Sequence, residues 1–284
     1  MKFAVIGNPI GHSLSPAFHN WIFRELGIDA EYQKIEAYEE DMPKIAASLR
    51  SGELNGINVT LPHKQAIVPF LDELDHHALT IGAVNCVVIS GGQLNGYNTD
   101  WSGFAQAMKA NGVSVQGKDC LILGAGGAAR AVAYALAQSE PASVTITNRT
   151  PKKADSLASW VSTVDSSVKV HAVAPEQLNT LAQLQVVINC TSLGMSPHSE
   201  ISPFTSHDLG QYHLLVDTVY SPPITRFLSD GSSAGARTVG GLDMFIYQGL
   251  ASLDLWFPKP ISQKVDVRSV NKYLKEKLME ASLS

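Results

Sequence analysis

The sequence predicts an α/β fold in two tandem units, each built on a mostly parallel sheet. Over residues 1–60 compact apolar strands alternate with amphipathic helices. The alternation restarts after Lys118, and it restarts with a glycine-rich turn set directly between a strand and a helix. Alternation of this kind feeds parallel pairing, because each strand returns to the sheet through a helical crossover. With 284 residues, 45% of them apolar, the chain is long enough for two cores.

Element by element, "KFAVIG" is the first strand. Ser15 as N-cap and Pro16 at the first helical position open a helix whose Phe18, Trp21, Ile22 and Leu26 recur at helical spacing, and Gly27 closes it. A strand at "EYQKIEA", a helix near "PKIAASLRSG" and a strand at "NGINVTLP" follow. "NCVVISGGQLNGYN" reads as a hairpin turning at Gly91 and Gly92, and Asp100 as the N-cap of the helix "DWSGFAQAMKANG" that joins the units. In the second unit "DCLIL", "SVTITNR", "KVHAVA", "VVINCTS" and "LLVDTVY" are strands, with helices after the glycine turn and from about Pro151. "MFIYQGLASLDLWF" and "VRSVNKYLKEKL" return the C-terminus to helix.

Composition excludes several classes. The net charge is −5 and the 21 Lys and Arg are dispersed, so no basic stripe offers itself to a nucleic acid. No apolar run approaches the ~20 residues that span a bilayer, and the apolar start of the chain is shorter than the ~7–15 residues of a signal-peptide core. Three scattered cysteines suit a reducing compartment, and a cytoplasmic protein is expected. The nine histidines include no H-x-x-x-H, the cysteines no C-x-x-C, and no G-x-S-x-G elbow offers a nucleophilic serine, so neither a metal site nor a hydrolase is expected. A monomer and a homodimer both stay open.

Gly124, Gly126 and Ala129 fit G-x-G-x-x-A after "CLIL" and before a helix. The first glycine permits a tight turn, the second lets backbone approach a pyrophosphate, and the small third residue lets helix pack on strand. The phosphates would then lie at the helix N-terminus, where free N–H groups and the dipole favour anions. The next strand ends at "TITNRT", where NAD-binding folds place an acid for the ribose 2′-OH. Here Asn148 and Arg149 stand, with Lys152 and Lys153 in the following turn. A guanidinium pairs with a 2′-phosphate that an acid would repel, so NADP is expected over NAD.

"GNPIGHSLSP", "NVTLPHK", "GAVN" and "NTD" all fall at strand ends or turns of the first unit. They gather hydroxyls (Ser13, Ser15, Thr60), amides (Asn58, Asn85), one ammonium (Lys64) and one carboxylate (Asp100). Ligands of open parallel sheets bind outside the carboxyl ends of strands, and this set suits a small hydroxylated substrate, one group answering each OH.

These motifs, with "GYNTD", "GAGGAAR", "NRT", "TSLGM", "DTVY" and "GGLDMFIYQG" in the same order, resemble the shikimate dehydrogenase family along almost the whole chain. The resemblance implies an N-terminal α/β substrate domain, a Rossmann-like NADP-binding domain, and C-terminal helices returning to the first domain. That corresponds to residues 1–102 with 240–284, and 103–239. It implies NADPH-dependent reduction of 3-dehydroshikimate to shikimate, in the route to chorismate and the aromatic amino acids. Lys64 and Asp100 would be the catalytic pair. Ser13 and Ser15 would hold the substrate carboxylate, Asn58, Thr60, Asn85 and Gln248 the ring hydroxyls, and Tyr220 would touch the substrate from the cofactor domain. The cofactor would lie along Gly124, Ala125, Gly126, Gly127, Ala128, Asn148, Arg149, Thr150, Lys153, Thr191, Val219 and Gly241.

The chain departs from the family's usual pattern at Trp101, where glycine often follows "NTD", at Ser221, where "VYNP" has asparagine, and at Cys86, where threonine follows "GAVN". Two rival readings follow: a relative that also oxidises quinate or uses NAD, and a non-catalytic dinucleotide sensor of redox state. The basic "NRTPKK" stretch speaks against the first. Retention of both Lys64 and Asp100 speaks against the second.

Overall fold

A computed structural model describes residues 1–180, 184–204, 209 and 212–283. The chain divides into two compact units, residues 1–102 with 246–276, and residues 103–245 with 277–284.

The first unit holds a six-stranded sheet in the order β2-β1-β3-β5-β6-β4. Its strands are β1 (Lys2–Gly7), β2 (Glu31–Glu36), β3 (Gly56–Val59), β4 (Glu73–Leu74), β5 (Cys86–Ser90) and β6 (Gln93–Tyr97). β1 pairs in parallel with β2 and β3, and β4 with β6, whereas β3–β5 and β5–β6 are antiparallel. The antiparallel part is the expected hairpin. Gly91 and Gly92 both take positive φ, +59° and +81°, the left-handed pair a two-residue turn with the right twist demands. Helices α1 (Ser15–Glu25), α2 (Met42–Arg50), α3 (His76–Ile81) and the start of α4 (Asp100–Ala110) complete the unit with the C-terminal part of α8 (Gly241–Trp256).

Two expected caps are corrected. Leu14, in helical conformation, is the N-cap of α1; Ser15 is already inside the helix and caps nothing. Proline next door explains the shift, since it fits the first turn at either of its two leading positions. Asp100 likewise is the first helical residue of α4, and its two carboxylate oxygens face Asn85 and Lys64 rather than the helix amides. In both cases a polar side chain that would have served the backbone is left for other partners. β3 also ends one residue before Thr60, so Lys64 stands in the turn beyond the strand rather than at its last residue.

In the second unit β7 (Asp119–Leu123), β8 (Ser143–Thr147), β9 (Lys169–Val173), β10 (Val186–Asn189), β11 (Leu214–Asp217) and β12 (Arg237–Val239) pair entirely in parallel. Their order is β12-β11-β10-β7-β8-β9. Counted from β7 this is the doubly wound order 3-2-1-4-5-6, whose switch point lies between β7 and β10. The four inner strands β7, β8, β10 and β11 are almost wholly buried, as a sheet covered on both faces requires, whereas the edge strands β9 and β12 are partly exposed. α5 (Gly127–Ala137), α6 (Pro151–Val164) and α7 (Arg226–Ser233) follow β7, β8 and β11, whereas α9 (Val267–Leu283) belongs to the first unit as far as residue 276.

β12 and the helices α3 and α7 carry no clear signal in the sequence. α3 is six residues long, too short for a period, and exists through its ends: Asp75 accepts from Ala78 N at 2.8 Å, and Gly82 closes it at φ +70°. α7 contains glycine and three serines, poor helix formers, and is held by a Thr225 cap and by burial of Phe227 and Leu228. Tertiary packing outweighs local propensity there.

Candidate active site

The polar residues of the first unit converge. Lys64 Nζ donates to Asp100 Oδ2 at 2.5 Å across 36 residues of chain. Both side chains are largely withdrawn from water, 19% and 12% exposed, so solvent weakens this pair less than a surface one. The turn that carries Lys64 is pinned by Val84 N donating to the Lys64 carbonyl at 2.8 Å. Neighbouring His63 is a packing residue: it is buried, with Nε2 2.6 Å from the Ala37 carbonyl.

Asn85 supports the carboxylate from the other side. Its Oδ1 accepts from Thr99 N at 2.6 Å, and since a backbone N–H only donates, the amide is oriented. Its nitrogen then donates to Asp100 Oδ1 and to Thr99 Oγ1, each at 2.9 Å. Gln248 joins from α8, with Oε1 3.5 Å from the same nitrogen.

Ser13 and Ser15 sit together where β1 leads into α1. Ser13 Oγ donates to Ser15 Oγ at 3.2 Å and accepts from Ser15 N at 3.3 Å. Lys34 Nζ donates to the Gly11 carbonyl and so fastens this loop to β2. Thr60 is half-buried just past β3, its amide bonded to the Ile6 carbonyl at 2.9 Å.

Sequence reasoning missed three members of this cluster, Tyr32, Thr99 and Ser252. The Tyr32 phenol donates to Asn58 Oδ1 at 2.8 Å. Burial pushes this phenol well above its usual range, with the Ser15 hydroxyl in hydrogen-bond reach pulling the other way, so it stays an O–H donor. Ser252 accepts from Asn58 Nδ2 at 2.9 Å and lies 3.3 Å from Thr99 Oγ1. Ser252 follows Gln248 by four residues, one helical turn, and that spacing was the available signal.

The aromatic wall behind the cluster sets α8 in place. Trp256 stacks on Phe3 with ring centroids 4.7 Å apart, and its indole N–H donates to the Val87 carbonyl at 3.0 Å. His19 lies in the same wall, 4.1 Å from the Tyr32 ring and nearly parallel to it. It is fully buried, and among the described residues neither ring nitrogen has a hydrogen-bond partner. Burial drives it down to about 3 against the opposing pull of the nearby Asn58 side chain, so it is neutral.

In the second unit the remaining residues line the carboxyl ends of β7, β8, β10 and β11. Gly124 has φ +109°, and a Cβ there would stand 3.0 Å from the Cys190 carbonyl, so the switch point is closed to any side chain. Gly126 and Gly127 differ: a Cβ on either would meet nothing within 4 Å. Open space above a helix N-terminus, with Ala129 fully buried, is the cradle a pyrophosphate needs. Asn148, Arg149, Thr150 and Lys153 surround the start of α6. Asn148 donates to the Thr150 carbonyl at 3.0 Å, while the Thr150 hydroxyl makes no capping bond. Arg149 and Lys153 are exposed, free to meet a charged ligand.

Thr191, Val219 and Gly241 gather around a buried knot. Asn189 donates to Asp217 Oδ1 at 2.9 Å, Val219 N to the same oxygen at 2.9 Å, and Thr225 Oγ1 to Oδ2 at 2.6 Å. Burial pushes the Asp217 carboxyl up to about 6 against the pull of these bonds. Thr191 Oγ1 donates to Asn189 Oδ1 at 2.7 Å. Gly241 has no room for a Cβ because the Thr218 and Val219 carbonyls abut it, and Tyr220 packs on Phe245 with ring centroids 4.9 Å apart.

Known proteins resemble the chain throughout. A family model described as the shikimate dehydrogenase substrate binding domain matches residues 5–87, and one described as shikimate / quinate 5-dehydrogenase matches residues 105–216. A shikimate dehydrogenase (NADP(+)) of Symbiobacterium thermophilum is 40% identical over 257 residues, covering 89% of this chain and 87% of its own. The shikimate 5-dehydrogenase of Thermus thermophilus, solved with NADP(H) and shikimate, is 33% identical with a TM-score of 0.83, over 98% of this chain and 99% of that one. That of Listeria monocytogenes, solved with shikimate and NAD, is 31% identical with a TM-score of 0.87, over 96% of each. With two matched regions in succession and relatives covered nearly end to end, the chain belongs to the shikimate dehydrogenase family.

Proposed function

We propose that this protein reduces 3-dehydroshikimate to shikimate with NADPH, reversibly, as a step toward chorismate and the aromatic amino acids. The observation that carries the reading is the Lys64–Asp100 pair, 2.5 Å apart, withdrawn from water and ringed by amide and hydroxyl groups. A carbonyl reduction needs a positioned donor at the oxygen, and Lys64 is that donor.

NADPH, when bound, supplies the hydride that reaches the ketone carbon. Lys64 holds the ketone oxygen, stabilises the negative charge that develops on it and hands it a proton. Asp100, held by Asn85, aims the ammonium. Ser13 and Ser15 bind the substrate carboxylate through adjacent hydroxyls. Asn58, Thr60, Asn85 and Gln248 answer the ring hydroxyls, and Tyr220 completes the substrate contacts. Gly124 to Ala128 hold the pyrophosphate, Asn148, Arg149, Thr150 and Lys153 the 2′-phosphate end, and Thr191, Val219 and Gly241 the remainder. Three free, buried cysteines suit a reducing cytoplasm.

The test is spectrophotometric. Protein mixed with shikimate and NADP should form NADPH, with quinate and NAD as comparison arms. No reduction of either dinucleotide by shikimate would end the reading. Arg149→Ala should weaken NADPH far more than NADH, by about 1.5–3 kcal/mol, the usual worth of a hydrogen bond to a charged group. Equal weakening of both would remove Arg149 from the 2′-phosphate.

A further inference from the structure

Asp217 is a buried carboxylate that the assigned site does not use. It ends β11, is 1% exposed, and among the described residues pairs with no cation. The charged groups on the neighbouring elements are bonded elsewhere: Arg226 of α7 to Asp230 and the Glu200 carbonyl, Arg237 of β12 to the Asn111 and Gly112 carbonyls. On the β10 side the titratable neighbour is the Cys190 thiol, which burial and then this carboxylate push up.

Three donors converge on its two oxygens. The Val219 amide and Asn189 Nδ2 share Oδ1, each at 2.9 Å, and the Thr225 hydroxyl takes Oδ2 at 2.6 Å. The Val219 bond closes a local turn, an aspartate accepting from the amide two residues on, and so sets the backbone that leads into Tyr220. The Asn189 bond reaches a second loop. Asn189 Oδ1 accepts from Thr191 N at 3.0 Å and Thr191 Oγ1 at 2.7 Å, and its other hydrogen goes to the Leu193 carbonyl at 3.2 Å. Asp217 therefore touches Val219 directly and Thr191 through one amide. Dinucleotides lie across the point where strand order reverses. With the glycine turn after β7 and the basic end after β8, the loops after β10 and β11 are left for the nicotinamide half.

An uncharged group here would cost the fold less. Burial raises the Asp217 carboxyl to about 6 against the pull of its three bonds, so its ionised form is held at a cost to stability. A charge kept at such a cost, in a group that braces two ligand-binding loops, belongs to function more than to packing. Its effect is on the bonds it receives, since hydrogen bonds to an ionised acceptor are roughly twice as strong as neutral ones.

We propose that Asp217 is a positioning residue for the dinucleotide: its ionised carboxylate holds the Val219 turn and, through Asn189, the Thr191 loop in the arrangement that NADP binds. The inference rests on the reading of Val219 and Thr191 as cofactor ligands. Independent bonds from Thr218 N and Thr218 Oγ1 to the Asn189 carbonyl, at 2.9 and 3.0 Å, keep the two loops joined when Asp217 is altered.

Fluorescence titration of the wild type and of Asp217→Asn with NADP tests it. Asparagine keeps one oxygen for Val219 and Asn189, turns its nitrogen to Thr225, and so copies the protonated carboxyl. At about pH 8 its Kd for NADP should be about fivefold higher than that of the wild type, as for charge-assisted bonds made neutral. The ratio of the two Kd values should fall toward one between about pH 7 and about pH 5, as the wild-type carboxyl takes up its proton near 6. The 2′-phosphate of NADP titrates in the same range, at about pH 6, so the ratio is read and not either profile. Affinity of the wild type for NAD, which lacks that phosphate, should weaken about fivefold over the same range, and this arm stands even if the variant does not fold. Equal affinities at the higher pH, or a ratio that does not move with pH, overturn the role of Asp217. So does a wild-type affinity for NAD that stays flat. A wild type that binds neither NADP nor NAD overturns the functional reading, and this inference with it.

Discussion

Lys64→Ala is expected to lower kcat for shikimate oxidation by about 10²–10⁴-fold while NADPH binding is retained. On the free-energy scale that is about 2.7–5.4 kcal/mol of transition-state stabilisation. The size follows from placement. Lys64 Nζ sits 2.5 Å from a carboxylate that a second side chain, Asn85, holds at 2.9 Å, so the ammonium is aimed before substrate arrives. Preorganised charge in a site largely closed to water acts more strongly than the same charge in solution. Asp100 keeps its bond from Asn85, and its amide keeps its bond to Asn98 Oδ1, so the site stays assembled although a carboxylate withdrawn from water loses its cation. A folded far-UV circular dichroism spectrum and an unchanged NADPH titration would confirm that the loss is chemical. A variant turning over at near-normal rate would remove Lys64 from the mechanism.

In acid, His19→Phe is expected to remove most of a stability loss that the wild type suffers. The imidazole is driven down to about 3 in the folded chain from 6.5, because burial disfavours its charged form. A depressed base contributes stability that is complete above its unfolded value and is lost as pH falls toward the folded one. The window is therefore 6.5 down to about 3. At about 1.36 kcal/mol per pH unit, the loss through this residue alone between about pH 7 and about pH 4 is on the order of 3 kcal/mol. Phenylalanine keeps a ring against Tyr32, Phe18, Phe23 and Trp256 and removes two buried nitrogens that make no well-formed hydrogen bond among the described residues, Asn58 being the polar side chain near them. Neutral-pH stability should hold or rise, since each orphaned group costs about 1–3 kcal/mol. Urea unfolding of both proteins at the two pH values, followed by tryptophan fluorescence, is the measurement. Parallel pH dependences would show that His19 does not titrate on unfolding as argued.

Much of this molecule was legible before any coordinate. The glycine turn reads from sequence because its strand, turn and helix are contiguous, and each glycine answers a local steric demand. The hairpin at Gly91 and Gly92 reads for the same reason. Lys64 and Asp100 are different. They lie 36 residues apart, and nothing in local periodicity pairs them. Only the likeness to a family whose motifs this chain repeats in order pairs them in sequence, and the β3-β5-β6 arrangement brings them together. Ser15 and Asp100 read as caps in the sequence because a serine or aspartate before a helix can serve either the backbone or the site. Only the positions of their partners decide between them.

What the sequence determined by itself was the α/β class, the candidate dinucleotide cradle, its basic strand end and the kinds of side chain in the candidate substrate site. Those depend on residue type and short-range spacing. Tertiary structure alone decided the direction of each hydrogen bond in the cluster: Tyr32 donates to Asn58, Asn58 donates to Ser252, and the Thr99 amide donates to Asn85. Hydrogen-bond direction belongs to a pair of groups, and here the pairs come from strands and a helix separated by as many as 194 residues.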